Sequence, residues 1–305
     1  MNWPDCSGAE EPLKPYRCKD GSFSLWSEDY GQAFHSARGA IQEARETFVN
    51  PAGLERLAPG STLTVLELCV GTGTNTAVLL EACQQFDLRL QWWGLELDRQ
   101  PLQLAFANQA FRQQWSAATL QALKEQTATI YWGDARHTLQ TLSGQLAGRC
   151  DLVIHDAFSP SVCPQLWSLE FLGLVSHCLA PQGRLTTYCS AAAVRQSLRE
   201  NHLHLAGLQP PAGSASHQWS GGTVASPSPL PVMAPLVQLS VMEQEHLQTQ
   251  AAVPYLDPTG QAGAAEIQQQ RRQQQQSSGR LSTSAWRRRW QQGEGLRNAG
   301  RFPPS

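Results

Sequence analysis

The sequence predicts an α/β protein built on a doubly wound, mostly parallel sheet of the Rossmann-like type. Three observations predict it. Short apolar runs recur along the chain, beginning with TLTVLELCV at 62–70, and unbroken runs of this kind mark strands buried on both faces. The runs alternate with segments of helical periodicity, as right-handed crossovers between parallel strands require. The first run meets its helix through a glycine turn, Gly71-Thr72-Gly73.

The elements follow in order. Residues 1–22 form an arm rich in Pro, Glu and Lys without periodicity. SFSLWSEDYGQAF alternates like an edge strand, GAIQEARETFV winds as a helix, and the Pro-Gly stretch NPAGLERLAPG ends this preamble near Gly60. Strands are expected at 62–70, 90–97, 128–134, 150–158 and 183–190. The helices between and after them read TAVLLEACQQF, PLQLAFANQAFRQQW, ARHTLQTLSGQL, PQLWSLEFLGLVSHCLA and AAAVRQSLREN. Pro101 suits the first turn of the second. Residues 205–235 are crowded with Gly, Pro and Ser around GGTVAS, which closes a sheet edge, and LVQLSVMEQEHLQTQ reads as a late helix. The expected division is a preamble at 1–60, a catalytic-type α/β domain at 61–255, and a flexible Gln/Arg-rich tail at 256–305. Beyond Gly260 the tail carries eight arginines against two glutamates. Such a composition stays disordered or meets a partner.

Composition narrows the function. Formal net charge is −2 and only 16% of residues are charged, so the chain as a whole carries no basic character. No apolar signal core follows Met1 and no run of about 18 apolar residues occurs, so a soluble protein of the cytoplasm is expected, without membrane contact. None of the eight cysteines forms a Cys-x-x-Cys pair, and several lie in apolar runs, where Cys packs as a small hydrophobe. No metal site is expected.

The chemistry concentrates at strand ends. Gly71 and Gly73 let backbone approach a ligand, although a Gly-x-Gly is often only a turn. The third glycine of a dinucleotide fingerprint is replaced by Asn75-Thr76. The next strand ends in Glu96, 23 residues beyond Gly73, where a carboxylate accepts from both hydroxyls of a ribose. The third ends in Asp134, placed to accept from an adenine amino group. A glycine turn followed by two such acids suits S-adenosyl-L-methionine better than a dinucleotide. The fourth strand ends in Asp156, followed by Phe158 and Pro160. An acid there orients an attacking amine and takes its proton, while a stiff loop with Phe158 and Trp167 lines a pocket for a flat base. The plainer reading of Asp156 is a helix cap.

These residues resemble the MnmC-type tRNA methyltransferases, a class I methyltransferase family. DAFSPSVCPQLW is similar to that family's Asp-Gly-Phe-Ala-Pro…Pro-x-Met-Trp segment, and ELCVGTGTN to its Glu-x-Gly-Phe-Gly-Thr-Gly-x-Asn turn. LAPQGRLTTYCSAAAVRQSL resembles its Pro-Gly-Gly strand and Ser-Ala-x-x-Val-Arg helix, and Glu43 and Arg45 retain its Glu-x-Arg. Coverage runs over about residues 21–225. The resemblance implies S-adenosyl-L-methionine as cofactor, held by Glu67, Gly71, Gly73, Glu96 and Asp134. It implies Asp156 as the catalytic group and Glu43, Phe158 and Pro160 in the substrate pocket. It further implies conversion of 5-aminomethyl to 5-methylaminomethyl on the wobble (2-thio)uridine of tRNA. No counterpart of the flavin oxidase domain of the two-domain members is read here, so a separate enzyme is expected to supply the aminomethyl uridine. Departures are Val70, Ala157 and Gln182, none of which removes a needed charge.

Two other readings stay open: a small-molecule amine methyltransferase or aminopropyl transferase, and a non-catalytic interaction protein on the same fold. For the tail, Trp286-Arg-Arg-Arg-Trp290 reads either as an RNA-contacting segment or as a solvated one.

Overall fold

The computed structural model describes residues 12–210 and 219–292. Cys6, Arg297 and Arg301, which entered the sequence reading, lie outside that range, as does the first half of the expected N-terminal arm.

A three-stranded antiparallel sheet comes first: β1 (Leu13–Arg17), β2 (Phe23–Ser27) and β3 (Gln32–Ala33). The alternating stretch is thus a real strand, and the arm that showed no periodicity supplies its partner. Helix α1 (Ala40–Glu43) widens into a π-helical segment at Ala44–Val49 before Pro51 enters a 3-10 turn.

The eight-stranded sheet is laid down by β4 (Thr62–Leu68), β5 (Arg89–Glu96), β6 (Tyr131–Trp132), β7 (Cys150–His155), β8 (Leu179–Thr187), β9 (His204–Leu208), β10 (Thr223–Ser226) and β11 (Leu236–Val237). Its order is β11-β9-β10-β8-β7-β4-β5-β6. Strands β4 to β8 pair in parallel and β9 to β11 join antiparallel, which makes the sheet mostly parallel as expected. Along β4 successive side chains alternate between faces: Leu63 and Val65 enter one core cluster, Leu66 and Leu68 the other. The chain runs outward from β4 through β5 to β6, then returns to β7 on the other side of β4. Open sheets bind ligands at such a switch point.

The crossovers are α2 (Thr74–Gln85), α3 (Gln100–Ala107), α4 (Gln109–Gln113), α5 (Ala117–Thr127), α6 (Ala135–Leu146), α7 (Leu169–Cys178) and α8 (Ala192–Glu200). The single helix expected after Pro101 breaks at Asn108, whose side chain caps α4 by accepting from the amides of Ala110 and Phe111. Helix α5 went unread, although Ser116 caps it by accepting from the Thr119 amide. The strand expected at 128–134 shrinks to two residues at the sheet edge. GGTVAS does not close an edge: β10 lies inside the sheet between β8 and β9, and the edge is β11, in a segment read as helix. The late helix is only α9 (Val241–His246).

The tail departs most from expectation. Its described part, residues 256–292, contains two helices that the sequence did not announce, α10 (Ala264–Ser277) and α11 (Thr283–Gln291). Each docks through one apolar residue, Ile267 and Trp286, buried to 0% and 1% exposure. Polar bonds complete the docking: Glu245 accepts from the indoles of Trp286 and Trp290 at 3.3 and 2.8 Å and from Arg289 at 2.6 Å.

Candidate cofactor and active site

The carboxyl ends of β4, β5, β6 and β7 open into one cavity of about 560 Å³, roofed by the three-stranded sheet. Its lining includes Gly71, Glu96, Asp134, Asp156, Glu43 and Phe158, so six of the nine residues singled out from the sequence meet in one place. Volume and lining suit a nucleoside cofactor, since small-molecule sites run from about 300 to 1,000 Å³.

On the cofactor side, Gly71 and Gly73 have φ of 57° and 80°, and Gly73 leads directly into α2. A Cβ on Gly71 would approach Phe34 to 3.2 Å, and one on Gly73 would approach Leu102 to 3.1 Å. Cys69 shares this conformation at φ 63°, and it stands where the family motif has its first glycine. Glu96 braces the turn. One oxygen accepts from the Gly71 amide at 2.8 Å, the other from the amides of Leu97 and Asp98 at 2.6 and 3.0 Å. Burial raises its pKa and the three backbone donors oppose that rise. Asp134 caps α6 through the Arg136 amide at 2.9 Å. Burial would raise its pKa, but the Arg136 guanidinium, 2.7 Å away, prevails and holds it below the ordinary carboxylate range.

Glu67 is not in the cavity. It is fully buried on β4, where one oxygen accepts from Thr76 at 2.9 Å and Trp92 at 2.7 Å while the other has no partner. Burial pushes its pKa up to about 7. The expected direct cofactor contact is therefore corrected: Glu67 ties β4 to α2 and β5 beneath the glycine turn.

On the substrate side, Asp156 follows β7 and accepts from the Asn75 side chain at 2.8 Å. Burial and then the charge of Glu43 drive its pKa well above the ordinary value. Glu43 accepts from the Ser36 amide at 2.7 Å, and burial raises it too. Asp156 caps no helix, because the next helical turn begins at Pro164. Phe158 stacks on Tyr30 with ring centroids 4.3 Å apart and meets Phe34 edge-on at 5.1 Å. The Gln32 side chain donates to Ser159 Oγ at 2.6 Å and accepts from the Ser159 amide at 3.2 Å, clamping the loop under β3. Pro160 and Trp167 are buried behind this wall rather than lining it. Trp167 acts from the core, donating to the Phe158 carbonyl at 2.8 Å.

Sequence reading missed Tyr30, Phe34 and Gln32, which lie far upstream and carry no motif, and Arg136, which passed as an ordinary helix residue. The motif arginine Arg195 lies away from the site, buried at 1% exposure against Glu243, Ser220 and Thr223.

Residues 102–221 match the family model described as S-adenosyl-L-methionine-dependent methyltransferase. Among curated proteins, the chain is 30% identical over 201 residues to the tRNA 5-methylaminomethyl-2-thiouridine biosynthesis bifunctional protein MnmC of Azoarcus sp., covering 57% of this chain and 30% of that protein. It is 27% identical over 196 residues to an uncharacterized protein of Methanocaldococcus jannaschii, covering 59% of this chain and 51% of that one. The chain thus spans about half or less of the length of these relatives. Among solved structures, MNMC2 from Aquifex aeolicus superposes with a TM-score of 0.68 at 25% identity, over 87% of this chain and 85% of that one.

Proposed function

We propose that this chain, an S-adenosyl-L-methionine-dependent methyltransferase similar to the methyltransferase portion of MnmC, methylates the 5-aminomethyl nitrogen on the wobble (2-thio)uridine of tRNA. The observation that carries the reading is the single cavity. It joins a glycine turn and two nucleoside-suited acids to a pair of acids, Asp156 and Glu43, beside an aromatic wall.

Gly71, Glu96 and Asp134 would hold the cofactor, with Gly73, which does not line the cavity, turning the chain into α2 and Glu67 supporting the turn from below. When bound, the cofactor supplies a methyl group on a sulfonium sulfur. Asp156 accepts a hydrogen bond from the substrate amine and aims its lone pair at that carbon. It takes the proton the nitrogen sheds as the N–C bond forms and the S–C bond breaks. Burial and the charge of Glu43 raise the pKa of Asp156 above the ordinary carboxylate value, which makes it a stronger proton acceptor once ionised. The Phe158–Tyr30 stack and Phe34 offer faces to an unpaired base. Exposed Arg272, Arg287 and Arg288 suit phosphate contacts, whereas Trp286 is buried with its indole N–H on Glu245 and offers no face to a base. A separate enzyme would supply the aminomethyl uridine. Among the described residues no helix is long and apolar enough to cross a membrane, and a cytoplasmic site of action fits a tRNA substrate.

The test is transfer of labelled methyl groups to tRNA bearing unmethylated 5-aminomethyluridine. Asp156→Ala should lower turnover by about 100-fold or more while cofactor affinity stays within about threefold. Wild-type turnover in that variant, or no transfer to tRNA by the wild type, would refute the reading. Methylation of small free amines in place of tRNA would support the alternative that the acidic pair also suits.

A further inference from the structure

The segment after Val253, which follows the 3-10 turn Gln250–Ala252, reaches back to the cofactor side of the sheet through a chain of charged groups. Tyr255 bridges to Ser168 at the start of α7, and its carbonyl accepts from the Leu169 amide at 2.8 Å. Two residues later, the Asp257 side chain is fully buried, with one oxygen accepting from the amides of Gln261 and Ala262 at 3.2 and 3.1 Å. Its other oxygen accepts from Arg136 Nη1 at 2.7 Å, and the same nitrogen donates to the Ala262 carbonyl at 3.0 Å. The remaining face of that guanidinium grips Asp134: Nη2 lies 2.7 Å from Oδ2, and Nε lies 3.2 Å from both oxygens.

One cation therefore joins two carboxylates with unequal surroundings. Asp257 is sealed at 0% side-chain exposure, whereas Asp134 is 30% exposed and lines the cavity. A planar guanidinium fixes the plane of a carboxylate it grips through two nitrogens. With Oδ1 also holding the Arg136 amide, the carboxylate of Asp134 is held ionised in the cavity wall.

We propose that Asp257 and Arg136 are positioning residues: they fix the Asp134 carboxylate so that the cofactor site selects a purine bearing a 6-amino group. The proposal rests on the reading of Asp134 as the acceptor for that amino group. It gives the segment beyond β11 a role in cofactor recognition, although the family match ends at residue 221.

The experiment is calorimetric binding of two probes, S-adenosylhomocysteine and its deaminated counterpart S-inosylhomocysteine, to the full chain. Wild type should prefer the adenosyl compound. Asp257→Asn, which keeps the shape of the side chain and removes its charge, should bind the adenosyl probe about fivefold to tenfold more weakly. Its affinity for the inosyl probe should be unchanged, and the preference for adenine lost. A merely structural role would weaken both probes alike; an equal loss, or no loss, overturns the proposal. Arg136→Gln gives the same decision should Asp257→Asn fail to fold. If wild type does not discriminate between the probes, the reading of Asp134 itself falls, and the positioning role with it.

Discussion

Glu67→Gln isolates what a buried acid beneath the glycine turn costs the fold. The carboxyl group is buried with one oxygen unpartnered, and desolvation raises its pKa from an ordinary value near 4.5 to about 7. In the unfolded chain it ionises near 4.5, so between those values the native state holds a proton the unfolded state has released. Stability contributed by this group is thus fully present below pH 4.5 and is lost as pH rises through 7. The difference of about 2.5 in pKa, at about 1.4 kcal/mol for each, amounts to about 3.5 kcal/mol, of which about 2.5 kcal/mol falls between pH 5 and 8. Glutamine keeps an oxygen for Thr76 and Trp92 and cannot ionise. Urea unfolding of both proteins at pH 5 and 8 should show the variant gaining on wild type by about 2.5 kcal/mol over that interval. Parallel pH profiles would refute the reasoning, since they would mean that Glu67 ionises in the folded protein as freely as in the unfolded one.

Further predictions concern the acid pair and the docked tail. Asn75→Ala removes the hydrogen bond that favours ionised Asp156, so the acid limb of the turnover–pH profile should move to higher pH; an unmoved limb would separate Asp156 from the titration. Trp286→Ala empties a site at 1% exposure and should destabilise the protein by about 3–5 kcal/mol in urea unfolding. A loss below about 1 kcal/mol would mean that α11 does not dock as a cooperative part of the fold.

Local signals determined most of the framework by themselves. Apolar runs buried on both faces marked β4, β5, β7 and β8, and the glycine turn marked a strand–helix junction where backbone takes positive φ beside the cavity. Glu96, Asp134 and Asp156 were legible because a parallel sheet delivers all its strand ends to one edge, so position along the chain implied position in space. The edge strand β11 was not legible: it has two residues, too few for periodicity to register, and β6, also two residues, is shorter than the apolar run at 128–134 that announced it.

Only tertiary structure decided the rest, because its causes are contacts between residues far apart in sequence. The aromatic wall needs Tyr30 and Phe34 to meet Phe158, and the loop needs Gln32 to reach Ser159. Whether Glu67 faces the ligand or the core depended on whether Thr76 and Trp92 had claimed its oxygen. The tail looked unfoldable because it carries few apolar residues. Its described part, to Gln292, docks because Ile267 and Trp286 each find a prepared site and Glu245 waits for the polar groups beside Trp286. Composition counts apolar residues but not partners, and here the partners made the difference.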